Sequence, residues 1–542
     1  MKLASRFVQR LLGLPPPVTR DVIVERDLRV PMRDGVVLLA DRWRPRRDVG
    51  ALPIALLRSP YGRRGVFGST FARPLAERGF QVVIQSTRGG FGSGGAFDPL
   101  RCEREDGLAT LDWLVKQRWC EGASIVLYGP SYLGYVQWAV ADAVPPQVKA
   151  MVPQITESAL TLEFLRKDGF SLETPFGWGI QVATQERRFA MLRALLPGGL
   201  NVKRALSMLP LADADMVAMG QRSEYVRDIL VHDREAPRWA GIDRHAEVGS
   251  VKVPVSSIGG WYDIFLPGQL RDFQALTEAG QEARLTVGPW THTSLGVGTT
   301  GMLEMLDFGL AHARGERPSP RAPVRLHVMG EDAWRDFDSW PPAGYTAKKF
   351  YLQAKRALST TPSGTSTPDR YRYDPGEPTP AVGGARIALH GATAGRIDNA
   401  LLEARSDVLT YTMPPLEHDL EIVGEVSAEI WFQSSLKFAD VFVRLCDVDL
   451  RGRSWNICDG LTSLVGADEK PVRAVVRLWP TAYRFRRGHC VRVQVSSGAF
   501  PRYNRNPGTG EPRLTATILR SAEQSVFHEP AHPSSISLPV KQ

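Results

Sequence analysis

The chain has 542 residues, and at about 150 residues per domain that leaves room for three or four domains. Hydrophobic residues make up 43% and charged residues 23%, which excludes a small disulfide scaffold, a largely disordered chain and a lone binding module. Lys+Arg 67 against Asp+Glu 58 gives +9, a mild excess without a long basic run, so no nucleic-acid partner is expected.

At the N-terminus Lys2, Arg6 and Arg10 alternate with Leu3, Phe7, Val8, Leu11 and Leu12 before Pro15-Pro16-Pro17. That spacing predicts a short amphipathic helix whose basic residues interrupt any signal-peptide core. The first reading is a helix docked on the body of the protein; the second is weak contact with a membrane surface. No run approaches 18 apolar residues, so no membrane span is expected. The five cysteines are odd in number and hold no C-x-x-C, which fits a reducing compartment and a cytoplasmic location.

Short apolar runs follow at 36–39, 54–57, 82–84, 124–128 and 148–152. Rich in β-branched residues and apolar on both sides, they read as strands buried in a parallel sheet. Helical spacing separates them at 71–78, about 106–116 and 132–143. Such alternation predicts a doubly wound α/β fold. From 157 to 250 helical stretches such as 213–219 and 223–230 replace the strands, and the strand pattern returns at 253–258 and 284–287. The Pro-rich stretch 317–323 marks a boundary. Beyond it, 440–445 and 491–495 alternate apolar with polar residues, the signature of half-buried antiparallel strands, and 360–380 reads as a long surface loop. The expected division is an α/β domain in two parts (1–156 and 251–316), a helical insertion (157–250) and an all-β sandwich (317–542).

The sharpest local signal is Gly129-Pro130-Ser131-Tyr132-Leu133-Gly134, between a strand and a helix. A serine there sits on a tight turn with its Oγ above the carboxyl edge of the sheet, although the strict G-x-S-x-G would put glycine one residue earlier. A serine nucleophile needs a base and a group to orient it, in the chain order Ser, acid, His. Asp263 in Gly259-Gly260-Trp261-Tyr262-Asp263 and His292 in Gly288-Pro289-Trp290-Thr291-His292 both follow late strands. The other nine histidines lie in the insertion, late in a helix or in the strand-rich half. Gly90-Phe91-Gly92-Ser93-Gly94-Gly95 matches G-x-G-x-x-G, but Pro99 spoils a following helix, so it reads as a packing turn rather than a dinucleotide site. Without H-e-x-x-H or paired Cys/His ligands, neither metal nor cofactor is expected.

With Met32-Arg33-Asp34-Gly35, Arg58-Ser59-Pro60-Tyr61-Gly62, Thr87-Arg88-Gly89 and Ser496-Ser497-Gly498-Ala499-Phe500-Pro501-Arg502-Tyr503, these motifs make the chain resemble one family along nearly its whole length. That family comprises cocaine esterase, X-prolyl dipeptidyl aminopeptidases and α-amino-acid ester hydrolases, the CocE/NonD hydrolases of peptidase family S15. The family's elbow also carries Tyr after the serine and glycine at +3. The resemblance implies an α/β-hydrolase domain with an inserted helical cap and a C-terminal jelly roll. It further implies that Tyr61 Oη and the Tyr132 N–H hold the oxyanion, and that Trp261 and Phe265 line the acyl pocket. Amino-acid ester hydrolases place acidic residues after the catalytic aspartate, whereas here Ile264, Phe265 and Leu266 follow Asp263. The first expectation is therefore a serine esterase for a small ester with an apolar acyl group, with room for a homo-oligomer. The alternatives are an X-Pro dipeptidyl aminopeptidase or amino-acid ester or amide hydrolase, with Glu157, Glu163 or Asp168 as amine anchor, and an inactive hydrolase fold used for binding.

Overall fold

In the computed structural model, residues 2–47, 50–166, 168–187, 202–387 and 393–542 are described, without the side chains of residues 2–4 and 163. Among them, ten strands form one sheet in the order β1-β2-β4-β3-β5-β6-β7-β8-β9-β10. These are β1 (Val22–Pro31), β2 (Val37–Pro45), β3 (Ile54–Ser59), β4 (Gln81–Ser86), β5 (Ile125–Pro130), β6 (Val148–Gln154), β7 (Val255–Tyr262), β8 (Ala283–Thr291), β9 (Val324–Val328) and β10 (Ala333–Phe337). The strands from β4 to β9 in that order run parallel, and antiparallel strands close both edges. Every residue of β3, β4 and β7 is buried, as strands covered by helices on both faces must be.

The helices include α1 (Lys2–Leu11), α2 (Glu103–Val115), α3 (Tyr132–Trp138), α4 (Glu173–Thr184), α5 (Glu224–Val231) and α6 (Leu266–Glu278). Helix α2 carries Glu103, Glu105 and Asp106 in its first turn, where carboxylates favour the positive end of the helix dipole. Helix α1 docks on the body. Ser5 Oγ donates to Glu77 at 2.7 Å and Leu12 and Leu14 are buried, while Phe7 and Leu11 stay exposed. No described helix is long and apolar enough to cross a membrane. The glycine-rich turn after β4 packs as a turn. Ser93 Oγ accepts from Leu39 N and donates to Ser86 O, both at 2.9 Å, and a Cβ on Gly89 would meet Phe97 N at 2.1 Å.

Three expectations from pattern alone give way. The main sheet runs past the Pro-rich stretch: of the two strands expected in the sandwich that begins at 317, β9 hydrogen-bonds to β8 and β10 to β9. Proline there breaks local structure but does not stop the next strand from returning to the same sheet. The 360–380 loop contains a strand, Asp369–Tyr373, paired with Ala522–Phe527, whose Tyr371 and Tyr373 are buried. Finally, Phe438–Val448 is buried on both faces from Ala439 onward rather than half-buried. Its polar positions are satisfied internally: Arg444 pairs with Asp459 at 2.9 Å, Asp459 with Arg502, and Asp440 with Arg513 at 2.8 Å. A polar alternation marks solvent only where no partner waits inside.

Phe438–Val448 belongs to a four-stranded sheet with Leu409–Thr412, Ser454–Val465 and Cys490–Ser496, and a nine-stranded antiparallel sheet forms the other layer. The sandwich bears on the first sheet directly. Tyr262 Oη donates to Asn456 O at 3.1 Å and Trp479 Nε1 to Asp263 O at 2.9 Å. All five cysteines are unpaired thiols.

Candidate active site

Ser131, Asp263 and His292 directly follow β5, β7 and β8, and Tyr61 follows β3 by two residues, so all four leave the carboxyl edge of the parallel sheet. Ser131 has φ 55° and ψ −122°, a backbone conformation costing about 1–3 kcal/mol that persists only where its surroundings enforce it. Here its N–H is held by Gln154 O at 2.8 Å. Two glycines make the turn possible. A Cβ on Gly129 (φ 147°) would meet Leu133 Cβ at 2.5 Å, and one on Gly134 would meet Thr156 Cγ2 at 2.3 Å. Glycine at +3 rather than +2 thus has a local cause: that is where α3 crosses the chain leaving β6.

His292 Nδ1 lies 2.6 Å from Asp263 Oδ2 and its Nε2 lies 2.9 Å from Ser131 Oγ. A carboxylate only accepts, so the proton sits on Nδ1 and Nε2 is left to accept from the serine hydroxyl. Asp263 is fully buried, and its second oxygen accepts the Phe265 N–H at 2.9 Å. Together with the Trp479 bond to its carbonyl, this fixes the carboxylate from both sides of its own backbone.

The Tyr61 phenol accepts the Trp178 indole N–H at 2.8 Å. Burial pushes that phenol up to about 12, against the smaller pull of the indole bond. The phenol of Tyr132 donates to Glu103 at 2.8 Å and accepts from Leu100 N at 2.8 Å; burial and then Glu103 raise it well above its ordinary range. Its backbone N–H is the first of α3, among the donors that a helix leaves without an intrahelical acceptor.

Ser131, His292 and Tyr61 line a cavity of about 260 Å³. Phe67, Phe164, Trp178, Phe265 and Ile387 are among its lining residues, and no described lining residue is acidic. Phe265 stands edge-on to His292 with ring centroids 5.6 Å apart. Trp261, expected in this wall, is not there. It is buried on the far side of the β7 end, donating to His327 O at 2.7 Å and tilted against Trp340. Side chains alternate across a strand, so a residue at a strand end faces either way with equal ease. Of the expected amine anchors, Glu157 pairs with Arg271 at 3.4 Å and Asp168 with Arg166 at 2.9 Å; the Glu163 side chain lies outside the described residues.

Sequence reasoning missed Phe164, Trp178 and Ile387. The first two come from the helical insertion and Ile387 from the sandwich side, and no local motif marks any of them. Helix α4 is tied to that side by Glu173, whose two carboxylate oxygens accept from Nε and Nη2 of Arg386, each at 2.7 Å.

A parallel sheet with a strained serine at one strand end, hydrogen-bonded to an imidazole and through it to a carboxylate at two others, defines a serine hydrolase of the α/β-hydrolase fold. Residues 34–294 match the X-Pro dipeptidyl-peptidase (S15 family), and residues 319–537 match the X-Pro dipeptidyl-peptidase C-terminal non-catalytic domain. The chain is 33% identical to the cocaine esterase of Rhodococcus sp. (strain MB1 Bresler), over 95% of this chain and 98% of that one. It therefore belongs to the S15 family of serine hydrolases. Two solved structures share the fold over 97% of this chain and 98% of theirs. One is an aminopeptidase from the marine sediment archaeon Thaumarchaeota archaeon (22% identity, TM-score 0.81); the other is an α-amino acid ester hydrolase (23%, 0.82).

Proposed function

We propose that the protein is an acyl esterase that cleaves small carboxylic esters with an apolar acyl group. Ser131 attacks the ester carbonyl while His292 Nε2 takes its proton; the imidazolium that forms is stabilised by Asp263. The tetrahedral oxygen is held by Tyr61 Oη and the Tyr132 N–H, each such donor being worth about 10²–10³ in rate. His292 returns the proton to the leaving alcohol, the acyl-enzyme forms on Ser131 Oγ, and water releases the acid by the same steps in reverse. In this proposal the helical segment 157–250 acts as a cap and the sandwich as a further wall of the cleft.

The observation that carries the reading is the hydrogen-bonded chain Asp263–His292–Ser131 opening on an apolar cavity. Burying a substrate ammonium there would leave a charge without an acidic partner among the described lining residues, which disfavours an aminopeptidase or amino-acid ester hydrolase. The relative that matches most of the chain at 33% identity carries an ester in its name, which agrees with this substrate class.

The test pairs p-nitrophenyl butyrate with an X-Pro p-nitroanilide, in wild type and in Ser131→Ala. Turnover of the ester, none of the anilide, and loss of both turnover and fluorophosphonate labelling in Ser131→Ala are expected. Anilide turnover above ester turnover would overturn the substrate class. Labelling and turnover that survive in Ser131→Ala would overturn the mechanism.

A further inference from the structure

Tyr61 has a polar environment that its role as an oxyanion donor does not by itself explain. An indole N–H can only donate, so in the 2.8 Å contact the Tyr61 oxygen must be the acceptor and its own hydrogen is not used in that bond. Among the described residues no protein acceptor takes that hydrogen, and the side chain lines the cavity that holds Ser131 and His292. We propose that Trp178 is a positioning residue for the oxyanion site: by occupying a lone pair of Tyr61 Oη, it leaves the phenolic hydrogen aimed at the substrate oxygen. This rests on the reading of Tyr61 as an oxyanion donor.

The surroundings make the contact rigid. Trp178 is stacked on Tyr132 (centroids 5.7 Å, 22°) and on Phe164 (5.9 Å, 26°), with Tyr225 edge-on at 5.5 Å. The indole therefore cannot turn its N–H away without breaking three ring contacts. Seven residues on, two turns along the same face, Gln185 Nε2 donates to Pro60 O at 2.8 Å. One helix thus holds both the phenol of Tyr61 and the carbonyl just before it. On the other side, Tyr61 N donates to Ser59 Oγ at 3.1 Å. A phenol that already accepts a hydrogen bond is polarised into a better donor, and a donor fixed before substrate arrives needs no reorganisation during the reaction. Trp178 also stacks on the residue whose N–H is the second donor, so it touches both halves of the oxyanion site.

Trp178→Phe keeps an aromatic ring in the stack and removes the N–H together with the second ring of the indole, so the cycle with Tyr61 is what separates the hydrogen bond from the lost packing. The experiment is a double-mutant cycle of Trp178→Phe and Tyr61→Phe on p-nitrophenyl butyrate, with kcat expressed per site titrated by fluorophosphonate, so that a partly folded preparation still gives the comparison. Tyr61→Phe is expected to lower kcat by about 10²–10³. Trp178→Phe should lower kcat about three- to tenfold, the scale of one net hydrogen bond, while any change in KM from the thinner cavity wall should be the same in both Tyr61 backgrounds. In the Tyr61→Phe background the same change should cost nothing further. If Tyr61→Phe turns over like wild type, the oxyanion reading fails. If Tyr61→Phe is crippled but Trp178→Phe is silent, or costs the same factor in both backgrounds, the oxyanion reading stands and the role of Trp178 is refuted.

Discussion

Gly134→Ala adds one methyl group at the crossing of α3 and the chain leaving β6. That carbon would stand 2.3 Å from Thr156 Cγ2, 2.7 Å from its Cβ and 3.1 Å from its Oγ1. Ordinary carbon contacts lie at about 3.5–4.0 Å, so roughly 1 Å must be opened. Rotating Thr156 moves Cγ2 and Oγ1 but not Cβ, and Thr156 is itself buried, so backbone has to yield. The yielding element is α3, whose N-cap is Ser131. Overpacking of this kind costs about 1–3 kcal/mol of stability. A displacement of about 1 Å in the nucleophile is enough to cost on the order of 10² in rate. Urea unfolding gives the first quantity, and kcat on p-nitrophenyl butyrate per titrated site gives the second. Thr156→Gly in the same chain removes the opposing Cβ and should restore much of the rate. Wild-type stability and kcat in Gly134→Ala would refute the packing account of the +3 glycine.

Glu173→Gln should lower the urea midpoint by the equivalent of about 1–3 kcal/mol, because Arg386 is buried and loses its charged partner; an unchanged midpoint would mean that α4 is held by its apolar face alone. His232 supplies a pH dependence. Burial, and then the Arg513 and Arg166 cations, hold its imidazole down from 6.5 to about 4, and its ring stacks on Phe170 at 4.3 Å. The folded protein keeps it neutral where the unfolded chain protonates it. Its contribution is therefore complete above pH 6.5 and is lost as pH falls from there towards about 4. His232→Asn, which tolerates the φ of 57° at this helix end, should flatten the acid limb of the stability curve followed by thermal unfolding. An acid limb as steep as in wild type would contradict the assignment.

The sequence carried the parallel strands, because strands buried on both faces must be written as continuous apolar runs. It also carried the strand-end positions of Ser131, Asp263 and His292, because each sits in a special turn within a few residues of a strand end, and such turns leave glycines and order in the chain. It misjudged Phe438–Val448 and Trp261 for a common reason. Residue type records what a side chain can do, while the partner that decides which face is inside comes from elsewhere. Arg444 reads as a solvent residue until Asp459 and Asn399 are beside it.

What the chain determined by itself is the placement of a serine, an imidazole and a carboxylate at three strand ends of one sheet, since local backbone geometry encodes these positions. What only the tertiary structure decided is how those three side chains are enclosed and oriented. Trp178 meets Tyr61 across 117 residues and Trp479 meets Asp263 across 216. Contacts so distant depend on how the helical segment and the sandwich pack on the sheet, and packing of apolar surfaces is set by shape and summed area rather than by any short pattern of residues.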